Sequence, residues 1–89
     1  MKAIITVIGP DRVGIIAEVC TLLARLHINV IDISQTIMHG MFTMIMFVEQ
    51  TEGAPAFDEM QSQLTTKGVE MGLEIRVQRE DIFNAMHRV

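Results

Sequence analysis

The chain has 89 residues, 49% of them hydrophobic, with no Trp or Tyr, eight Met and a formal net charge of −4. This describes one small domain, too apolar to be disordered and small enough that a partner would often complete its burial. Its seven basic residues are scattered and no aromatic run accompanies them, which argues against direct nucleic-acid binding; no apolar run is long enough to cross a bilayer. Lys2 is a poor start for a signal peptide, because Thr6 and Pro10-Asp11-Arg12 soon interrupt the run behind it. A single Cys cannot form an intrachain disulfide. Both features point to a cytoplasmic, reducing compartment.

Residues 3–8 (AIITVI) are a nearly continuous β-branched run, the pattern of a central strand covered on both faces. The stretch Ile8-Gly9-Pro10-Asp11-Arg12-Val13-Gly14-Ile15-Ile16 then turns the chain into a helix. Gly9 and Gly14 let backbone come close to a ligand or a neighbouring strand, Pro10 stiffens the turn, and Asp11 is placed to cap the N–H of Val13 or Gly14. From residue 13 to 26 the period becomes helical, with Ile16, Val19, Cys20, Leu23 and Leu26 on one stripe and Glu18, Thr21 and Arg25 opposite. Cys20 on the inner stripe reads as a small core residue.

His27-Ile28-Asn29 leaves this helix. Residues 28–38 read as a strand with Ile31, Ile33 and Ile37 on one side and Val30, Asp32, Ser34 and Thr36 on the other. His39-Gly40 suits a tight hairpin. Residues 41–49 (MFTMIMFVE) are apolar on both faces apart from Thr43, again a central strand, with Ile45 and Phe47 pointing away from Met44 and Met46. Glu52-Gly53-Ala54-Pro55 is turn chemistry, with Pro55 expected as the first residue of a second helix carrying Phe57, Met60, Leu64 and Met71. Gly72 is suited to end that helix in a left-handed conformation, and Gly68 weakens its last turn, so that the helix could stop earlier. Leu73, Ile75 and Val77 alternate with Glu74, Arg76 and Gln78 as a strand with one wet face. From residue 79 to 89, Ile82, Phe83, Met86 and Val89 follow helical spacing.

The order is β-α-β-β-α-β with a short C-terminal helix. This is the α+β, ferredoxin-like two-layer sandwich: a four-stranded antiparallel sheet with both helices on one face. Right-handed crossovers place the first and third strands in the centre and the second and fourth at the edges. Residues 1–79 form the domain, and residues 80–89 are an amphipathic tail expected to pack on the domain or on a dimer partner. The edge strand at 28–38 has neither Lys nor Pro to protect its backbone, so it is expected to pair with a two-fold mate.

The Gly9-Pro10-Asp11-Arg12-Val13-Gly14 corner, the aliphatic first helix and the start of the second strand (Asn29-Val30-Ile31) resemble the ACT domain, a small regulatory module that binds amino acids. The resemblance covers about residues 1–79. In particular the chain is similar to small bacterial and archaeal proteins consisting of one ACT domain and little else, and it also resembles the ACT domains of glycine-cleavage repressor-like proteins and those in front of formyltetrahydrofolate deformylase. The resemblance implies a homodimer in which ligands sit between this loop and the neighbouring subunit's counterpart.

The residues themselves suit a free amino acid. Amides around Val13 and Gly14 would hold its carboxylate, Asp11 or Asp32 its ammonium, and the main chain of Asn29, Val30 and Ile31 would read the rest. The candidate ligand-binding set is therefore Gly9, Pro10, Asp11, Arg12, Val13, Gly14, Asn29, Val30, Ile31 and Asp32. The plain alternatives are Asp11 as an N-cap, Gly14 as a packing glycine and Arg12 as a solvated charge. No cofactor is implied. His27, His39 and His87 have no metal-site spacing, and no Ser or Cys has a His or Asp close in sequence, so neither a metal site nor an enzyme is expected. The competing reading is a ligand-free assembly or adaptor domain that holds a protein through the open sheet face or the C-terminal helix.

Overall fold

Burial alternates along three stretches of the chain, as strands with one covered face require, while the stretch 28–38 is exposed almost throughout, as an edge strand is. In the computed structural model, which describes residues 1–81, β1 is Lys2–Pro10, β2 Ile28–Met38, β3 Met41–Gln50 and β4 Glu74–Arg79; α1 is Ile15–Arg25 and α2 Phe57–Met71. All neighbouring strands are antiparallel in the order β2-β3-β1-β4, so the two apolar strands are central as expected. This is the ferredoxin-like fold. The C-terminal helix expected over 80–89 falls mostly on residues 82–89, outside the described residues.

The core is one layer between sheet and helices. Ala3, Ile5 and Val7 of β1, Phe42, Met44, Met46 and Val48 of β3, and Ile75 and Val77 of β4 meet Ile15, Val19, Leu22 and Leu23 of α1 and Met60 and Leu64 of α2. At about 25 cal/mol per Å2, closing this layer is the main favourable contribution to folding. Cys20 lies at its margin, half-buried. Ile45 and Phe47 stand on the face turned away from the helices, as the alternation along β3 requires.

Three local expectations need correction. Asp11 does not cap α1: Gly14 is the N-cap, in the left-handed region at φ 91°, and no side chain caps the helix. The amide of Asp11 donates instead to the carbonyl of Gly40 at 2.8 Å. The chain thus turns through Gly14, and the helix starts two residues later than its apolar pattern. Pro55 likewise precedes the second helix, whose N-cap is Ala56; its carbonyl accepts from Gln50 Nε2 at 2.8 Å and so belongs to the turn. Along β2, a bulge between Val30 and Asp32 takes Ile31 out of register. Val30 therefore shares the helix side with Ile33 and Ile37, opposite Val48, Met46 and Phe42, while Asp32, Ser34 and Thr36 face the other way.

α2 also runs on through Gly68 to Met71 and ends at Gly72 with φ 72°. A Cβ at Gly68 would stand 2.9 Å from the carbonyl oxygen of Leu73 and 3.0 Å from Ile75 Cγ1. Glycine is there so that α2 can lie against β4, and packing outweighs its low helix propensity.

Candidate functional site

β1 ends beside the start of β3, with Pro10 opposite Met41, and β2 ends on the other side of that strand, with Ile37 opposite Phe42. His39 and Gly40, both at positive φ, make the two-residue turn that joins β2 to β3. The β1–α1 corner thus meets the hairpin end of the sheet, where Asp11 is bonded to Gly40. Between them lies a groove of about 170 Å3. Asp11, Arg12, Gly14, Ile15 and Ile16 form one wall, Gln35 and Ile37 the other, and Phe42 lies beneath.

Chemically the groove has a polar end and an apolar end. Because Gly14 offers no side-chain acceptor, the first-turn amides of α1 carry no side-chain cap, and the positive end of the helix opens here. Arg12 Nη2 donates to Glu18 Oε2 at 2.8 Å and its Nη1 to the carbonyl of Val13 at 3.1 Å. Lys67 of α2 lies 3.6 Å from the other oxygen of Glu18. The hydrogen bond from Arg12, helped by Lys67, holds the Glu18 carboxyl below the ordinary carboxylate value. The Arg12 and Glu18 side chains are 42% and 40% exposed, so solvent screens this pairing and it contributes little to stability. Glu18 keeps a carboxylate on Arg12 at the helix start.

The ten residues singled out in the sequence separate into two groups. Asp11, Arg12 and Gly14 line the groove; Pro10 ends β1 next to it, and Val13 is almost wholly exposed at 95%. Gly9 faces the helix layer, where a Cβ would come within 3.3 Å of Leu73 Cα, so its missing side chain serves the packing of β1 on the α2–β4 junction. Asn29, Val30, Ile31 and Asp32 lie at the opposite end of the sheet. Asn29 is opposite Glu49 and Asp32 opposite Phe47, five to seven positions along β3 from Phe42, or about 17–24 Å at about 3.4 Å per residue. One protomer does not bring the two groups together. Gln35, Ile37 and Phe42 were not anticipated. The His39-Gly40 turn was the signal that could have found them, because a two-residue hairpin places its flanking residues at the end of the sheet where β1 finishes.

A larger cleft of about 250 Å3 runs between α1 and α2, lined by Leu22 and Arg25 of α1 and by Ser62, Thr66, Lys67 and Glu70 of α2. It is open and carries both signs of charge, with no convergent set of donors. Among the described residues no cluster of three or more His, Cys, Asp or Glu is placed to hold a metal ion, and no helix is long and apolar enough to cross a membrane.

The ACT domain family model matches residues 2–78, from the start of β1 to the penultimate residue of β4. This chain belongs to the ACT domain family. Members of the family are typically regulatory, bind small molecules and form dimers. The UPF0237 protein of Listeria innocua is 52% identical over 89 residues, spanning 100% of both chains. Among solved structures, an ACT domain protein from Streptococcus pneumoniae superposes with a TM-score of 0.83 at 38% identity, covering 98% of each chain. A putative glycine cleavage system transcriptional repressor gives 0.77 at 25% identity over 86% of this chain and 44% of its own. A formyltetrahydrofolate deformylase from Pseudomonas putida gives 0.76 at 15% identity, over 88% of this chain and 28% of that one, and there the likeness is one of fold. In the last two, a fold of this shape is part of a longer chain. Here the fold takes up nearly all of the sequence.

Proposed function

We propose that this ACT domain is a non-catalytic, cytoplasmic regulatory module that binds an amino acid as a homodimer. The observation that carries the reading is the helix start without a side-chain cap at Gly14, opening into a groove that also holds Asp11 and Arg12. An α-amino acid presents a carboxylate and an ammonium close together. The amides of Ile15 and Ile16 and the guanidinium of Arg12 suit the carboxylate, and Asp11 suits the ammonium. Ile37 and Phe42 offer apolar contact to its side chain.

The dimer accounts for the residues left at the far end of β2. Ile33, Ile37 and Met38 of this edge strand are 42–62% exposed. In an antiparallel pairing of β2 with its two-fold mate centred on Ile33, and with the bulge at Ile31 counted, the second copy's Asn29 would stand opposite Thr36 and its Asp32 opposite Ser34. Those positions border the groove wall formed by Gln35 and Ile37. The pairing would satisfy the open backbone of β2 and complete the site from both halves of the candidate set. A regulated protein then responds to the liganded dimer.

A thermal-shift screen of the twenty amino acids and related metabolites tests the reading. A ligand at a hundredfold its Kd stabilises the fold by about 2.7 kcal/mol. One of the twenty should raise the melting temperature, and Arg12→Ala should abolish the rise. No rise with any compound favours the adaptor reading, which the exposed Ile45 and Met41 on the open sheet face support.

A further inference from the structure

At the polar end of the groove the corner carries its own pair of opposite charges. Glu18 bends back along the first turn of α1. Its Oε2 stands 2.8 Å from Arg12 Nη2 and 4.0 Å from where a Cβ on Gly14 would lie. Arg12 Nη1 donates to the carbonyl of Val13, so both terminal nitrogens, the fork that grips a carboxylate end-on, are in use. From α2, the half-buried Lys67 brings its Nζ to 3.6 Å from the other oxygen of Glu18. With Asp11 on the groove wall, the cluster holds two acids, Asp11 and Glu18, and two bases, Arg12 and Lys67. Its formal charge is zero.

We propose that Glu18 is a specificity-determining residue of this corner. It takes the ammonium of an amino acid whose carboxylate takes Arg12, and so selects zwitterions over plain carboxylates. This role rests on the reading of the corner as an amino-acid site, and adds to it a residue outside the candidate set. Binding is an exchange of partners. A plain carboxylate that claims Arg12 leaves Glu18 one cation poorer, and a plain amine that claims Glu18 leaves Arg12 without its anion. An α-amino acid carries both charges on one carbon and re-pairs both sides, a neutral guest in a neutral cluster. Solvent screens the Arg12–Glu18 pair, so opening it costs little and the gain on re-pairing decides. Lys67 keeps Glu18 near the helix start while Arg12 changes partner. Glu18 thereby works against a 2-oxo acid, which has the carboxylate and side chain of its amino acid but no ammonium.

The test compares the full chain with its Glu18→Gln variant against the twenty amino acids and the matching 2-oxo acids. Wild type should bind an amino acid about tenfold or more tightly than its 2-oxo acid. Glu18→Gln should weaken the amino acid about tenfold, the loss of one charge-assisted hydrogen bond. The same variant should bind the 2-oxo acid at least as well as wild type does, because no internal carboxylate contends for Arg12. An amino acid bound equally by both proteins would overturn the role of Glu18 and leave the site itself in place. So would a 2-oxo acid that loses as much as the amino acid in the variant. No binding of any compound to either protein removes the site, and this role with it. A second readout needs no particular amino acid. Sodium acetate is titrated against sodium chloride at equal ionic strength, while nitrogen NMR follows the Arg12 guanidinium. Acetate should move those signals at lower concentration in Glu18→Gln than in wild type. Equal titrations would show that Glu18 does not contend for Arg12, and the proposal would fall.

Discussion

The two faces of this sheet are built from alternate residues of the same strands, yet they have opposite characters. On one, Met44 and Met46 are wholly buried beneath two helices. On the other, Ile45 and Phe47 carry as much apolar surface and have neither helix over them. Apolarity in a strand therefore does not say which face is the core; it says only that each face needs a cover. The helices cover one face, and among the described residues no element covers the other. The same lesson applies at the edges. β4 is short and alternates with Glu74 and Arg76, which pair with each other at 2.9 Å, whereas β2 is long, uncharged but for Asp32, and suited to join another strand.

Substitution at neighbouring positions should expose the contrast most sharply. Met46→Ala should cost about 2–5 kcal/mol, against roughly 1 kcal/mol for the half-exposed Ile45→Ala, read as denaturant midpoints at unchanged slope. Equal losses would mean that the open face is packed as densely as the core. Gly68→Ala is next in size. It gains helix propensity but drives a methyl into the Leu73 carbonyl, so a net loss of about 1–3 kcal/mol is expected from overpacking. A gain in stability would show that β4 yields to α2 at little cost. Ser34→Pro should act on assembly more than on folding. It removes a donor and restricts Ile33 at the centre of β2, so light scattering should show the dimer dissociating at concentrations where wild type holds together; an equal tendency to dimerise would move the interface elsewhere.

The smallest effect concerns Glu18. Its folded value lies below the ordinary carboxylate value of 4.5, because Arg12 bonds the charged form. The contribution is thus present above pH 4.5 and is lost as pH falls through the lower folded value. Glu18→Gln should differ slightly from wild type in melting temperature at pH 7, and the two curves should converge in acid. A gap that widens on acidification would contradict the pairing.

Much of this architecture was legible in the sequence. The β-branched run of β1, the doubly apolar β3 and the His39-Gly40 turn fix the sheet order, and Gly72 stops α2 where expected. The misses share a cause: local chemistry there serves a distant partner. Asp11 has the side chain of a cap, but its amide is engaged by Gly40 and the turn is made by Gly14. Pro55 has the ring of a first helical residue, but Gln50 holds its carbonyl in the turn. The bulge at Ile31 appears only when Val30 and Ile33 must both face inward, and no turn residue announces it. In the candidate site, one wall was written in a motif and the other was distributed over Gln35, Ile37 and Phe42, whose proximity depends on register. Asn29 to Asp32 looked adjacent to the corner because α1 returns the chain toward the sheet. It returns it to the far end.

The bond from the Asp11 amide to the Gly40 carbonyl ties the corner to the tip of the β2–β3 hairpin. A molecule that draws the corner inward must pull on that tip, and through it on the last residues of β2. If β2 also carries the seam between two copies, occupancy and association become thermodynamically linked, and each must alter the other by the same factor. The sensor would then report two quantities at once, how much metabolite is present and how much of itself the cell contains.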